Sequence, residues 1–504
     1  MLNHWPKQST GKAAPLPLVL LLLLLGCTAH SLDLAPASPS IAWPIERPPF
    51  MQAAFEHGAS KSESDGAHGS DEVDTAVRID PQRSYNLVEL IDLAQRSNPE
   101  TRDAWERARQ AAFGVGLAES AYLPQISAEA VAGYQHATFP IPANLVPGAL
   151  FTSSTRELVP TLAIRWLLFD FGRRAGVAAA ARADSFVANV TFTGAHQQLI
   201  FAVSRDYFAL TAARGRLRVT EDALRTAQVV DDAVKTRRSH GLATTVEVAQ
   251  AARQLAEARF NLARASGDEH GAYHALIASM GVSPTIQIKV AGNDSAPLPP
   301  ASARSVERLI TNAMADRPDI IAALGRVNSA EAKLAEARAD YNPTIAIEAQ
   351  GFENIGQLSA QGSRYYSVNK PGGNILLKFS WPLFDGGARD ARVGIARSEV
   401  ESARDQLDKS RNSAVKQVTD AYDALETGLA EHAAATSLQD AARFAYDSAL
   451  DAYGHGVGTY TDLVSSETAL TRSQSAVEDA RATVFTAAVG LAFATGSIAN
   501  ARIP

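Results

Sequence analysis

The chain of 504 residues is written twice. Trp-Leu-Leu-Phe-Asp-Phe-Gly at 166–172 returns as Trp-Pro-Leu-Phe-Asp-Gly-Gly at 381–387. The same spacing relates His240-Gly241-Leu242-Ala243-Thr244 to His455-Gly456-Val457-Gly458-Thr459, and Met280-Gly281 to Thr495-Gly496. Upstream, Asn98-Pro99-Glu100 and Tyr122-Leu123-Pro124 match Arg317-Pro318-Asp319 and Tyr341-Asn342-Pro343, four residues further apart. One length change, confined to 125–165 against 344–380, accounts for all five matches. Two copies of one unit therefore cover 84–282 and 304–497, with a linker at 283–303 and a tail at 498–504. Whatever one copy folds into has to be built twice, and the two products have to tile.

Each copy opens with a helix-period stretch, 99–121 and 318–340, that stops before Pro124 or Pro343, where the residue ahead of proline disfavours helix. Period-two alternation follows. Ile126, Ala128, Ala130, Ala132 and Tyr134 alternate with Ser127, Glu129 and Gln135, and Leu158, Leu162, Ile164, Trp166 and Leu168 with Glu157, Thr161 and Arg165. In the second copy Ile345, Ile347 and Ala349 alternate with Thr344, Glu348 and Gln350, and Ile375, Leu377, Phe379, Trp381 and Leu383 with Lys378 and Ser380. The spacing predicts strands over 125–138, 157–169, 344–353 and 375–384, joined by loops at 139–156 and 354–374. Strands near ten residues with one apolar and one polar face suit a tilted membrane strand. A soluble β-sandwich is the alternative, but four strands among hundreds of helical residues fit it poorly.

After the second strand of each copy stand Asp170 with Gly172, and Asp385 with Gly386 and Gly387. Aspartate caps free helix amides and glycine lets a strand turn sharply into a helix, so these are strand-to-helix junctions. Proline-free stretches follow at 173–238 and 388–453, each about 100 Å long if helical, and each ends at a His-Gly turn. The return helices carry heptad spacing at Val248, Ala251, Leu255, Ala258, Leu262 and Ala265, and at Leu463, Ser466, Leu470, Ser473, Val477 and Ala480. Each return helix is too short for its partner, and the helix ahead of the strands makes up the difference. Four strands cannot close a membrane barrel, because two edges would expose unpaired amides to lipid. Three chains supply twelve strands, an even number within the known range. The expected fold class is a mixed α and β membrane protein: a homo-oligomeric barrel continued by a helical tube.

The N-terminus sets the compartment. Lys7 and Lys12 precede the apolar run Leu18–Leu25, too short to span a bilayer but suited to a secretory signal over 1–26. Leu-Leu-Gly-Cys ends at Cys27, the sole cysteine, which resembles a lipobox with Cys27 as the lipidated residue; an ordinary signal peptide with an incidental cysteine is the alternative. Residues 27–80 are rich in Pro, Ser, Gly and acids and read as a lipidated N-terminus and flexible linker. A formal net charge of -7 gives no electrostatic reason to expect nucleic acid. No G-x-S-x-G, Walker loop or H-E-x-x-H is present. No enzyme activity, cofactor or metal site is expected.

With these residues in view, the chain resembles the outer-membrane factor family, the TolC-like channels, in its lipoprotein drug-efflux branch. The resemblance is carried by PLFDGG at 382–387, HGVGTYTDL at 455–463, HGLATTVEV at 240–248, YLP at 122–124 and the LLGC lipobox, and it covers 84–497. It implies a homotrimer in outer-membrane lipid, projecting into the periplasm. It also implies docking on a periplasmic adaptor (membrane fusion) protein that couples the channel to an inner-membrane pump or ABC exporter. By the resemblance, Gly241, Leu242, Gly456, Val457, Gly458 and Thr459 form the adaptor-docking helix ends. Glu247, His455, Tyr460, Asp462 and Glu467 then fall at the periplasmic constriction, where a closing link at Tyr460 is expected to be a neutral hydrogen bond made pH-sensitive by His455 beside it. A solvated helix face is the plain alternative for these residues. The implied function is the exit channel of a tripartite efflux system; the alternatives are type I protein secretion, a stand-alone porin, or a structural envelope lipoprotein.

Overall fold

The computed structural model describes residues 30–45, 80, 82–140, 150–293, 296–302 and 304–500. Cys27, the signal segment and most of the linker lie outside the described residues. Among those described, α1 (Leu87–Ser97), α2 (Pro99–Ser120), β2 (Gln125–Pro140), β3 (Leu150–Phe169), α3 (Arg173–Ser239) and α4 (Thr245–Ser279) form the first copy. The second repeats them as α5 (Val306–Asp316), α6 (Pro318–Ala339), β5 (Thr344–Ala360), β7 (Lys370–Ser380), α7 (Ala388–Gly454) and α8 (Tyr460–Ala494). The two-residue strands β1 (Ser84–Tyr85) and β4 (Lys289–Val290) pair in parallel, and β6 (Tyr366–Ser367) pairs β5 beyond β7. The chain divides into two units. One holds 109–185 and 326–403 with residues 30–35; the other holds 186–325 and 404–500 with 36–108.

The sheet of the first unit runs β2-β3-β5-β7, antiparallel throughout. Its register gathers the apolar residues onto one face: Ile126 pairs Ile164, which pairs Ala349, which pairs Ile375, while Trp166 pairs Ile347, which pairs Leu377. The opposite face carries Gln125, Arg165, Glu348 and Lys378, with Lys378 Nζ on Glu348 Oε1 at 3.1 Å. A bulge at Leu168 brings Phe169 opposite Ile345, which places Phe169 on the apolar face as a two-against-one pairing does.

All four long strands outrun their alternation, β2 by reaching Pro140. β3 begins at Leu150 and β5 runs to Ala360, so segments read as loops at 150–156 and 354–360 are ladder. Backbone pairing needs no apolar alternation, and here polar pairs serve it: His136 with Ser154 at 2.8 Å and Thr138 with Thr152 at 3.3 Å. β7 starts earlier than the reading and ends at Ser380, before Trp381-Pro382, because proline has no amide to donate.

In the other unit, a core of Leu90, Val203, Phe208, Leu210, Leu276, Ile277, Met280 and Phe485 joins α1, α3, α4 and α8. Ala251, Ala258 and Ala265 are buried, as small heptad residues allow when helices approach closely. Residues 36–45 are tied down rather than free. Trp105 Nε1 donates to Pro36 O at 2.8 Å, Thr193 Oγ1 to Trp43 O at 3.0 Å, and Trp43 meets Phe186 edge-on. Aromatic anchorage overrides a composition that read as linker.

Candidate functional site

The strand-to-helix junctions are one network built twice within the first unit. At Asp170 the carboxylate accepts from the amides of Gly172 (3.4 Å) and Arg174 (2.9 Å), and from Arg174 Nε (2.9 Å). At Asp385 it accepts from the amide and Nε of Arg389 at 3.1 and 3.0 Å. The guanidinium of Arg174 lies over the Tyr122 ring and that of Arg389 over Tyr341. Trp166 donates to Tyr122 O and Trp381 to Tyr341 O. Asp340 bridges the two copies, with Arg173 Nε at 3.2 Å and Arg392 Nη1 at 2.5 Å. Gly172, Gly386 and Gly387 take φ of 107°, 69° and 87°, and Phe171 takes 53° where the second copy has Gly386. Burial opposes ionisation of Asp385, but the Arg389 guanidinium and the local amides outweigh it and hold its carboxyl below the ordinary value. Arg174 and Arg389 were not singled out from sequence; their signal is an arginine four residues after each Asp.

The helix turns of the second unit are the other site. Thr244 caps α4 in a capping box: its Oγ1 accepts from Glu247 N at 3.2 Å, while Glu247 Oε2 accepts from Thr244 N at 2.7 Å. Thr459 caps α8, accepting from Asp462 N at 3.2 Å and donating to Asp462 Oδ2 at 2.6 Å. Glu247 and Asp462 are thus engaged as cap carboxylates. The glycines at these turns, Gly241 and Gly456, take φ of 75° and 77°. Gly458 is half-buried against Ala452 and Tyr453. Leu242 and Val457 are 68% and 83% exposed.

Two expectations for this site meet a different geometry. His455 does not link to Tyr460: its Nδ1 lies 3.0 Å from Asp451 O and 3.4 Å from Asp451 Oδ1, one helical turn back on its own helix. Tyr460 is 4% exposed and packs edge-on to Tyr453 with centroids 6.0 Å apart. Glu467 is 5% exposed, turned into the helix packing of its own chain. Burial pushes its carboxyl up to about 7. Burial, then Glu467, pushes the Tyr460 hydroxyl up to about 12. The surrounding cluster joins Val230 and Val234 of α3, Ala251 of α4, Tyr453 of α7 and Leu463 of α8. Arg237 Nη1 donates to Tyr453 O at 3.0 Å across the two hairpins, with its guanidinium over the Tyr453 ring. Arg237 and Tyr453 were missed because their partners are more than two hundred residues apart in the chain. Among the described residues no group of three or more His, Cys, Asp or Glu could hold a metal ion.

A duplicated chain with a four-stranded sheet, apolar on one face, and long helical hairpins with capped, exposed turns defines a class: outer-membrane channels built from repeated subunits. The chain belongs to the outer membrane efflux protein family, whose model matches residues 90–282 and 309–497. It is 28% identical over 352 residues to protein CyaE of Bordetella pertussis, covering 69% of this chain and 70% of that one. It is 24% identical over 428 residues to outer membrane protein OprJ of Pseudomonas aeruginosa, covering 83% and 85%. A crystal structure of a membrane protein from Pseudomonas aeruginosa shares the fold, with a TM-score of 0.70 and 24% identity over 81% of this chain and 93% of that one. The protein is therefore an outer-membrane protein, and its family is one of channels.

Proposed function

We propose that this chain, as a homotrimer, is the exit channel of a tripartite efflux system, passively conducting substrates delivered by a periplasmic adaptor and an inner-membrane pump. The observation that carries the reading is the pair of helix turns. Each presents an apolar side chain, Leu242 or Val457, to solvent from a rigid mount of positive-φ glycine and threonine cap. A pre-formed turn with an exposed apolar tip loses little entropy on docking, which suits a partner surface. The two free sheet edges, β2 and β7, support assembly with further copies. Lipidation at Cys27 is part of the same reading.

The test is Leu242→Asp with Val457→Asp in one chain. Export in cells and adaptor capture in detergent should both fall at least tenfold, while trimer mass and thermal stability stay unchanged. Unimpaired capture would remove the turns from the docking role. Export of a polypeptide rather than small molecules by the intact system would favour the secretion alternative.

A further inference from the structure

The packing at the helix turns buries polar groups that it does not satisfy. Glu467 Oε2, Asp231 Oδ1, Arg237 Nε and the hydroxyls of Tyr453 and Tyr460 are buried without a hydrogen-bond partner among the described residues. A carboxylate taken out of water needs a cation or donors to hold its charge. The cations of the neighbouring helices pair with other carboxylates or, at Arg237, meet a carbonyl and a ring rather than Glu467. From α3, Lys235 pairs with Asp231 at 2.6 Å and Arg237 is bound to Tyr453. From α4, Arg253 pairs with Glu257 at 2.8 Å and Glu247 serves the cap. α7 contributes Tyr446 and Tyr453, and its Asp447 is exposed. On α8 itself, Asp462 is held by Thr459 and Arg472 is exposed. An ionised Glu467 would face the Tyr446 and Tyr460 phenols, with its Oε2 unpartnered among the described residues.

We propose that Glu467 is a proton latch: it is held as a neutral carboxylic acid while the two hairpins are packed, and its ionisation loosens their ends. The proposal deepens the channel reading and rests on it only where the loosened ends are taken as the entrance. The raised value at Glu467 agrees in sign. The latch is fully set below the ordinary carboxyl value of 4.5 and is lost as pH rises through about 7. Periplasmic alkalinity then favours opening and acidity favours closure. A shift from 4.5 to about 7 corresponds to at most about 300-fold in the packed-to-loosened ratio.

The test uses the full-length detergent-solubilised trimer, wild type and Glu467→Gln, which keeps shape without a proton to lose. The rate of trypsin cleavage after Arg237 and Arg238, divided by the Glu467→Gln rate at the same pH, should rise steadily from pH 5.5 to pH 7 and level off above it. It should exceed tenfold at pH 8.5. A ratio that stays flat with pH overturns the latch. Should Glu467→Gln fail to assemble, Glu467→Leu serves as the pH-independent reference. Bilayer conductance is recorded in parallel and should rise over the same pH interval in wild type alone. A rising cleavage ratio in a trimer that never conducts would sink the channel reading and leave the latch standing; a flat ratio sinks the latch whether or not the trimer conducts.

Discussion

Trp381 donates its indole N–H to the carbonyl of Tyr341 at 3.0 Å, and in the first copy Trp166 does the same to Tyr122 at 2.9 Å. Each bond fastens the end of a strand to the end of the preceding helix. Both indoles are partly exposed, so water can replace the lost partner. Trp166→Phe and Trp381→Phe should each lower unfolding free energy by about 1 kcal/mol, read by thermal melting in detergent. Equal melting of wild type and the double variant would remove the bond from the list of stabilising contacts.

The junction arginines should differ in weight. Arg174 adds to its Asp170 pair three backbone acceptors, Ala121 O, Leu167 O and Leu168 O, at 3.2, 2.6 and 2.9 Å. Its carboxylate partner is also more buried than Asp385. Arg174→Met should therefore cost about 3–5 kcal/mol, and Arg389→Met less, because solvent screens the Asp385 pair. The reverse order would show that the first junction tolerates an uncompensated Asp170.

Acid should reach the second junction through Asp385. Its carboxyl lies below the ordinary value of 3.8 in the fold, so its stabilisation is present above that value and is lost as pH falls through the lower folded one. The melting difference between wild type and Asp385→Asn should persist from pH 8 down to about 4 and close below it. A difference that closes near neutrality would contradict the assignment.

Gly281 and Gly496 occupy matching positions after α4 and α8, with φ of 71° and 75°. A methyl group at Gly281 would lie 2.8 Å from the Asn98 Cα, and at Gly496 2.9 Å from the Asp316 carbonyl carbon. Backbone strain and a clash with main chain act together, so alanine at either site should cost about 2–4 kcal/mol. Assembly yield and melting temperature check it; a neutral variant at either position would mean the adjoining helix start can retreat.

The repeat, the strand faces, the junction aspartates and the helix stops were legible in the sequence because each rests on local rules. Period two places Ile126 and Ile375 on one face, and a glycine after the last helical residue stops the helix whatever surrounds it. Only tertiary structure decided the rest. The polar stretches 150–156 and 354–360 became strand because an extended neighbour offered them a ladder, and residues 36–45 became fixed because Trp105, Thr193 and Phe186 receive them. Glu467 shows the limit most plainly. Its type and its place near a helix start read as a solvated or ring-forming carboxylate. Whether a helix face meets water or a second hairpin depends on contacts such as Arg237 with Tyr453, 216 residues apart, and in this packing Glu467 is buried beside Tyr446 and Tyr460.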